Sequence, residues 1–394
     1  MLRSFTFQNF QSFRDPVSIS LELNGHSPED GRSFAVADGT RLSKAIALIG
    51  PNASGKTALI KSLVFLDWFV KHSFRAKPDE PIPLFAHFSR ASEPSTFEVS
   101  FDLDGREWRY RLKASTERVY HESLYSRRTS SLSYLFVRDW DPAVEGYRVK
   151  QRQFGMLARE AGKVRENASL ISTAAQYDVP LALRLVSTSL WSNVHALGRL
   201  GMDHNQLMPA SDFYAGNDAF RTRMAELLRE WDFGLSDVRI EKQTVQDEGG
   251  ASREINVPFG VHRIGERAHR LMFLHESSGT IGAFVLLSRI LPALQHGGLV
   301  VIDELEADLH PHMLAPLLDL FFSPVTNPHN AQIIFTSHSM EVLGLLHKAQ
   351  VVLVEKDREG GSEAWRLDSV KGVRADDNLY AKYMAGAYGA VPHV

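Results

Sequence analysis

Gly50-Pro51-Asn52-Ala53-Ser54-Gly55-Lys56-Thr57 fits the spacing G-x-x-x-x-G-K-[ST], and its flanks complete the pattern. Ala45–Ile49 before it is a short apolar run that reads as a buried strand, and Gly55–Val70 after it has helical periodicity. The residue types suit a phosphate cradle. Glycines let backbone N–H groups turn inward around an anion, and the helix that follows adds the positive end of its dipole. Asn52 and Gly55 belong to that loop, Lys56 places a compact positive charge on the β- and γ-phosphates, and the Thr57 hydroxyl is a hard oxygen ligand for Mg²⁺. Strand, loop and helix therefore imply a nucleotide site, with ATP and Mg²⁺ as its ligands.

A second apolar run, Leu299-Val-Val-Ile302, ends in two carboxylates, Asp303 and Glu304. Ligands of open α/β sheets sit at the carboxyl ends of strands, so this pair is expected beside the phosphate loop. Asp303 is then a metal-side carboxylate, and Glu304 a general base facing an attacking water.

The rest of the chain falls into three parts. Residues 1–110 read as strands around the phosphate loop and its helix. Residues 111–239 read as an insertion, β-rich at first (118–125 and 132–138 alternate) and then helical, with 181–197 and 220–231 as the best helices. Residues 240–394 return to strand–helix alternation, which argues for a mainly parallel sheet covered by helices. The expected fold class is α/β: a phosphate-loop core with a mixed sheet and flanking helices, interrupted by that insertion.

The motifs come in the order GPNASGKT, ESSGT (Glu276–Thr280), LVVIDE, LEADLHP (Leu305–Pro311) and TSHS (Thr336–Ser339). In this order the chain resembles the ABC-type ATPase heads of the SMC, RecF and OLD classes. It is most similar to the OLD-like and RloA-like bacterial AAA family ATPases, including an N-terminal Asn9-Phe-Gln-Ser-Phe13 and a tail reading Tyr383-Met-Ala-Gly-Ala-Tyr-Gly-Ala-Val-Pro392. The resemblance implies that Ser277, Ser278 and Gly279 form a signature loop reaching the nucleotide of a second subunit. It implies that Asp308 lies at the dimer interface, and that His338 is a switch residue on the γ-phosphate, catalytic together with Glu304. A homodimer sandwiching two ATP molecules follows, with a higher oligomer left open. The chain departs from the family pattern in one place: Pro81–Ser89, where the glutamine of the Q-loop is expected, contains none.

Composition narrows the partners. The net charge of −3 rules out a polycation, and the absence of cysteine excludes disulfides and thiolate chemistry. No stretch is expected to supply the roughly 18–20 apolar residues of a membrane helix, so no membrane partner and a cytoplasmic location are expected. Residues 105–165 carry about twice as many basic as acidic residues, interleaved with Trp108, Tyr110, Tyr120, Tyr125 and Tyr134, a pattern compatible with DNA or RNA contact. The OLD nucleases carry a Toprim domain after the ATPase. Here the strand-like 351–356 leaves about 40 residues, short for another domain, so no nuclease is expected on this chain. The expected function is a Mg²⁺-dependent ATP hydrolase acting as a nucleotide-gated dimer. It would regulate a separate effector, a nuclease or a toxin, in bacterial antiphage defence. The alternative is a RecF- or SMC-like DNA-binding ATPase of repair or recombination.

Overall fold

The structure, a computed structural model, describes residues 1–25, 27–127, 131–195, 198–246, 252–307, 309–374 and 376–391. Its centre is a six-stranded sheet in the order Leu190–Ser192, Leu299–Ile302, Gln332–Ser337, Ala45–Ile49, Val351–Lys356 and Ser362–Arg366. All neighbours are parallel except the last pair. Alternate side chains of a strand point to opposite faces. Here Ala45, Ala47, Ile49, Val300, Ile302, Ile333 and Phe335 enter one core, and Ile46, Leu48, Val301, Ile334, Val352 and Val354 the other. Both faces are thus covered, which is why these strands read as unbroken apolar runs rather than alternating ones.

The first core packs helices His204–Ala215, Asp218–Glu230, Ser278–His296 and Leu314–Phe322 on the sheet. The second core holds the phosphate-loop helix Lys56–His72, which lies between the central sheet and a seven-stranded antiparallel sheet. That second sheet runs Gly146–Gln151, Leu132–Asp141, Val119–Arg127, Arg106–Ala114, Ser95–Leu103, Leu2–Gln8 and Val17–Ser20. Phe65 of the helix meets Phe97 and Phe10 with ring centroids 5.1 and 6.1 Å apart, so aromatic packing fixes helix to sheet.

A fully buried ion pair ties the antiparallel sheet to the helices beyond it. Arg138 donates to Glu122 at 3.3 Å and to the carbonyls of Ala168 (2.7 Å), Val164 (3.0 Å) and Arg165 (2.7 Å), and its guanidinium lies 3.7 Å from the Tyr147 ring centroid. Glu122 also accepts from Tyr110 Oη (3.0 Å), Ser169 Oγ (2.7 Å) and the Leu170 N–H (2.8 Å) at the start of helix Leu170–Gln176. Burial and the adjacent Glu122 carboxylate push the Tyr110 hydroxyl well above its ordinary range.

Several sequence expectations change. The boundary at residue 110 falls inside strand Arg106–Ala114, and that at 239/240 inside strand Asp237–Gln246, because hydrogen-bonded ladders run across both. The first half of the insertion is continuous with the N-terminal strands in one sheet. The expected helix 181–197 stops early: Pro180–Val186 is helical, but Ser187-Thr188-Ser189 breaks it, and Leu190–Ser192 becomes the edge strand of the central sheet. Gly298 permits that pairing; a Cβ there would lie 2.7 Å from the Ser189 carbonyl oxygen, at a φ of +125°. Finally, Ser278–His296 is long and apolar enough to cross a membrane, with a mean hydropathy of 1.2, contrary to expectation. Since 78% of its most apolar 18-residue window is buried inside the fold, it is a core helix.

Arg138→Met leaves the Glu122 carboxylate buried without its cation, so unfolding free energy should fall by about 3–5 kcal/mol. Denaturant titration checks this; an unchanged midpoint would contradict the role given to the pair.

Candidate functional site

Because the strands are parallel, their carboxyl ends share one edge of the sheet. The phosphate loop follows Ala45–Ile49, Asp303-Glu304 follows Leu299–Ile302, and His338 follows Gln332–Ser337. Residues from three separate stretches of sequence thereby converge on one edge, where ligands of open sheets bind.

The loop is tightly seated. A Cβ on Gly50 would lie 1.9 Å from the Val354 carbonyl oxygen, so no side chain fits there. Lys56 is buried and folds back over the loop, donating to the carbonyls of Gly50 (2.8 Å) and Pro51 (2.9 Å). Burial lowers the proton affinity of its ammonium, while the nearby carboxylates of Asp303, Glu304 and Glu306 act in the opposite sense.

Asp303, only 4% exposed, joins the pieces. Its Oδ2 accepts from Thr57 Oγ1 at 2.8 Å and its Oδ1 from Thr336 Oγ1 at 2.7 Å. Thr336 Oγ1 in turn accepts from the Glu304 N–H at 2.7 Å. Glu304 has a φ of +53°, in the left-handed region. Such a conformation in a non-glycine residue costs about 1–3 kcal/mol and is concentrated at functional sites. It directs the carboxylate out of the strand line, where Oε1 lies 3.7 Å from His338 Nε2 and Oε2 is ion-paired with Arg199. Glu306 Oε1 accepts from the backbone N–H groups of His338 and, at 3.2 Å, Ser339, fixing the turn that carries the histidine.

Two of these residues escaped the sequence reading. Asn193, at the end of edge strand Leu190–Ser192, grips the Asp303 main chain from both sides. It donates to the carbonyl at 2.9 Å and accepts from the N–H at 2.8 Å. An amide side chain thus extends the parallel ladder by one rung, and Asn193 abuts the acidic strand end. Arg199 follows six residues later. Reading 181–197 as one helix hides Asn193; the Ser-Thr-Ser break is the available signal.

The signature-loop residues stand differently. Ser277 caps helix Ser278–His296, its Oγ accepting from the Thr280 N–H at 3.1 Å. Among the described residues, neither Ser277, Ser278 nor Gly279 makes a hydrogen bond or ion pair to the phosphate loop. The helix has 19 residues, about 28 Å at 1.5 Å each. It runs back along strand Leu299–Ile302, about 13 Å long. Asp308 lies outside the described residues, as do Arg128 and the end of the tail, Pro392.

In the basic, aromatic stretch, several of the groups are engaged within the fold. Arg109, Arg111, Arg127 and Arg148 are paired with Glu98, Glu107 or Asp141, and Trp108 and Tyr110 are in the core, where no base can stack on them.

Strand, phosphate loop and helix, with a carboxylate strand end bonded to the loop threonine, define a P-loop ATPase. The chain belongs to the family described as "AAA domain, putative AbiEii toxin, Type IV TA system", whose profile matches residues 45–344. Among solved structures it is similar to the SMC head domain from Thermotoga maritima, with 13% identity, a TM-score of 0.42, and 93% of this chain and 98% of that one covered. It is also similar to the Smc head domain with an extended coiled coil bound to the C-terminal domain of ScpA, derived from Pyrococcus furiosus. There the identity is 12%, the TM-score 0.44, and the coverage 93% of this chain and 96% of that one. No curated protein matches the chain.

Lys56→Ala removes both the positive charge and the brace on the Gly50 and Pro51 carbonyls. ATP affinity should fall by at least about tenfold, the worth of one charge-assisted hydrogen bond. Calorimetric titration decides; undiminished binding would remove Lys56 from the site.

Proposed function

We propose that this ATPase hydrolyses ATP with Mg²⁺ as a nucleotide-gated homodimer, and that closing and reopening of the dimer controls a separate effector, a nuclease or toxin, in antiphage defence. The observation that carries the reading is the hydrogen-bonded line Thr57–Asp303–Thr336–Glu304, which puts a candidate general base and a phosphate cradle in fixed register. The donor set fits Mg²⁺: a threonine hydroxyl and a buried carboxylate oxygen 2.8 Å apart, both hard oxygens. When bound there, the ion would neutralise charge on the β- and γ-phosphates.

The chain's own residues do the rest. Inward N–H groups of the loop and Lys56 hold the phosphates. Glu304 accepts a proton from the attacking water, and His338, 3.7 Å from it, contacts the γ-phosphate and orients the carboxylate. Ser277, Ser278 and Gly279, at the N-terminus of helix Ser278–His296, meet the γ-phosphate of the facing subunit. ATP then favours the closed dimer by its differential affinity for it, and hydrolysis removes that preference. The effector assignment draws on the OLD-like and RloA-like resemblance and on a family description that refers to a toxin–antitoxin system. Pairing of Arg109, Arg111, Arg127 and Arg148 with carboxylates favours this reading over a DNA-binding repair ATPase.

Glu304→Gln should bind ATP, turn it over about 10²–10⁴-fold more slowly, and accumulate as a dimer. Size-exclusion chromatography with light scattering, with and without Mg·ATP, reads the last point. A monomer in both conditions would refute the shared site, and wild-type turnover would refute Glu304 as the base.

A further inference from the structure

The ion pair between Arg199 and Glu304 has no place in the hydrolytic scheme above, and it occupies the group on which that scheme turns. Arg199 lies on strand Gly198–Arg199, which pairs with Val194–His195 so that Arg199 faces Val194. The hairpin is closed at its root by Leu200 N–H donating to the Asn193 carbonyl at 2.6 Å. Asn193 is itself bound to the Asp303 main chain on both sides. The root of the hairpin is therefore anchored to the acidic strand end, while its arginine reaches one residue further, to the Glu304 carboxylate.

The anchor and the reach differ in strength. The Asn193 bonds are buried, whereas the side chains of Arg199 and Glu304 are 29% and 40% exposed. A pair this open to water is weak and exchangeable. It is also monodentate: one guanidinium nitrogen meets one carboxylate oxygen, leaving further donors of the fork for another acceptor. Glu304, for its part, has one oxygen engaged by Arg199 and the other turned to His338. A carboxylate held in this way is poorly placed to take a proton from water.

We propose that Arg199 is a nucleotide-sensing residue that changes partner. It holds Glu304 until ATP arrives, then moves onto the γ-phosphate and releases the carboxylate. A terminal phosphate offers several charged oxygens in the geometry that a guanidinium fork matches, so it outcompetes a single carboxylate oxygen. ADP lacks that group and leaves the pair intact. The base is thus freed only by the nucleotide that can be hydrolysed, and the freed arginine stabilises charge on the transferring phosphoryl group. This inference rests on the ATPase reading of the site.

The test is calorimetric titration of the full chain, wild type against Arg199→Ala and Arg199→Lys, with Mg·ADP and with the non-hydrolysable analogue Mg·AMPPNP. Arg199→Ala should weaken AMPPNP binding by about tenfold or more while leaving ADP binding unchanged. Arg199→Lys, which keeps the charge but not the fork, should lose less. It also guards against an alanine variant that fails to fold. If the two affinities fall together, or neither moves, the exchange is wrong and Arg199 only props the turn. If the wild type binds neither nucleotide, the ATPase reading fails and this inference fails with it.

Discussion

The Asp303 carboxylate, caught between Thr57 and Thr336, is the contact on which the site depends. Its two oxygens receive one hydroxyl each, from residues 246 positions upstream and 33 downstream. One buried charge thereby sets the distance between the phosphate loop, the acidic strand end and the strand that leads to His338. A buried carboxylate is costly unless its lone pairs are satisfied, so the arrangement stands only while all the pieces are in place. Asn193 completes it by gripping the Asp303 main chain, which fixes the carboxylate's origin as well as its ends.

The parallel sheet makes this convergence possible. Five parallel strands deliver their carboxyl ends to one edge, and alternate residues of each strand bind a separate core. The phosphate-loop helix is fixed to the antiparallel sheet through Phe65 and Phe97, and that sheet is braced by Arg138 and Glu122. With both faces of the central sheet packed, the site groups open to water lie at its edge: Glu304, His338 and Arg199.

Much of the site could be read in the sequence because its signals are local. GPNASGKT, LVVIDE and TSHS each sit at the end of an apolar run, and a strand end is where a catalytic side chain is presented. Asn193 and Arg199 carried no such signal. Leu190–Ser192 is a three-residue strand whose apolar spacing continues that of the preceding helix, and its pairing depends on the missing Cβ of Gly298, 108 positions beyond Leu190. The buried Arg138 was equally hidden, since an arginine in a basic stretch reads as surface until Glu122 is brought opposite it. The alternating strands between 96 and 138 were legible as strands, but Gly146–Gln151 was not, and neither was their union with the N-terminal strand Leu2–Gln8, because sheet neighbours are chosen by packing rather than by local pattern.

The central claim, that Asp303 organises a metal-dependent hydrolytic site, is tested most directly by phosphate release from ATP. It would be measured with Mg²⁺ and with EDTA, for the wild type and for Asp303→Asn. The account predicts turnover by the wild type that EDTA abolishes and that Asp303→Asn does not support. Turnover that survives either change would contradict it.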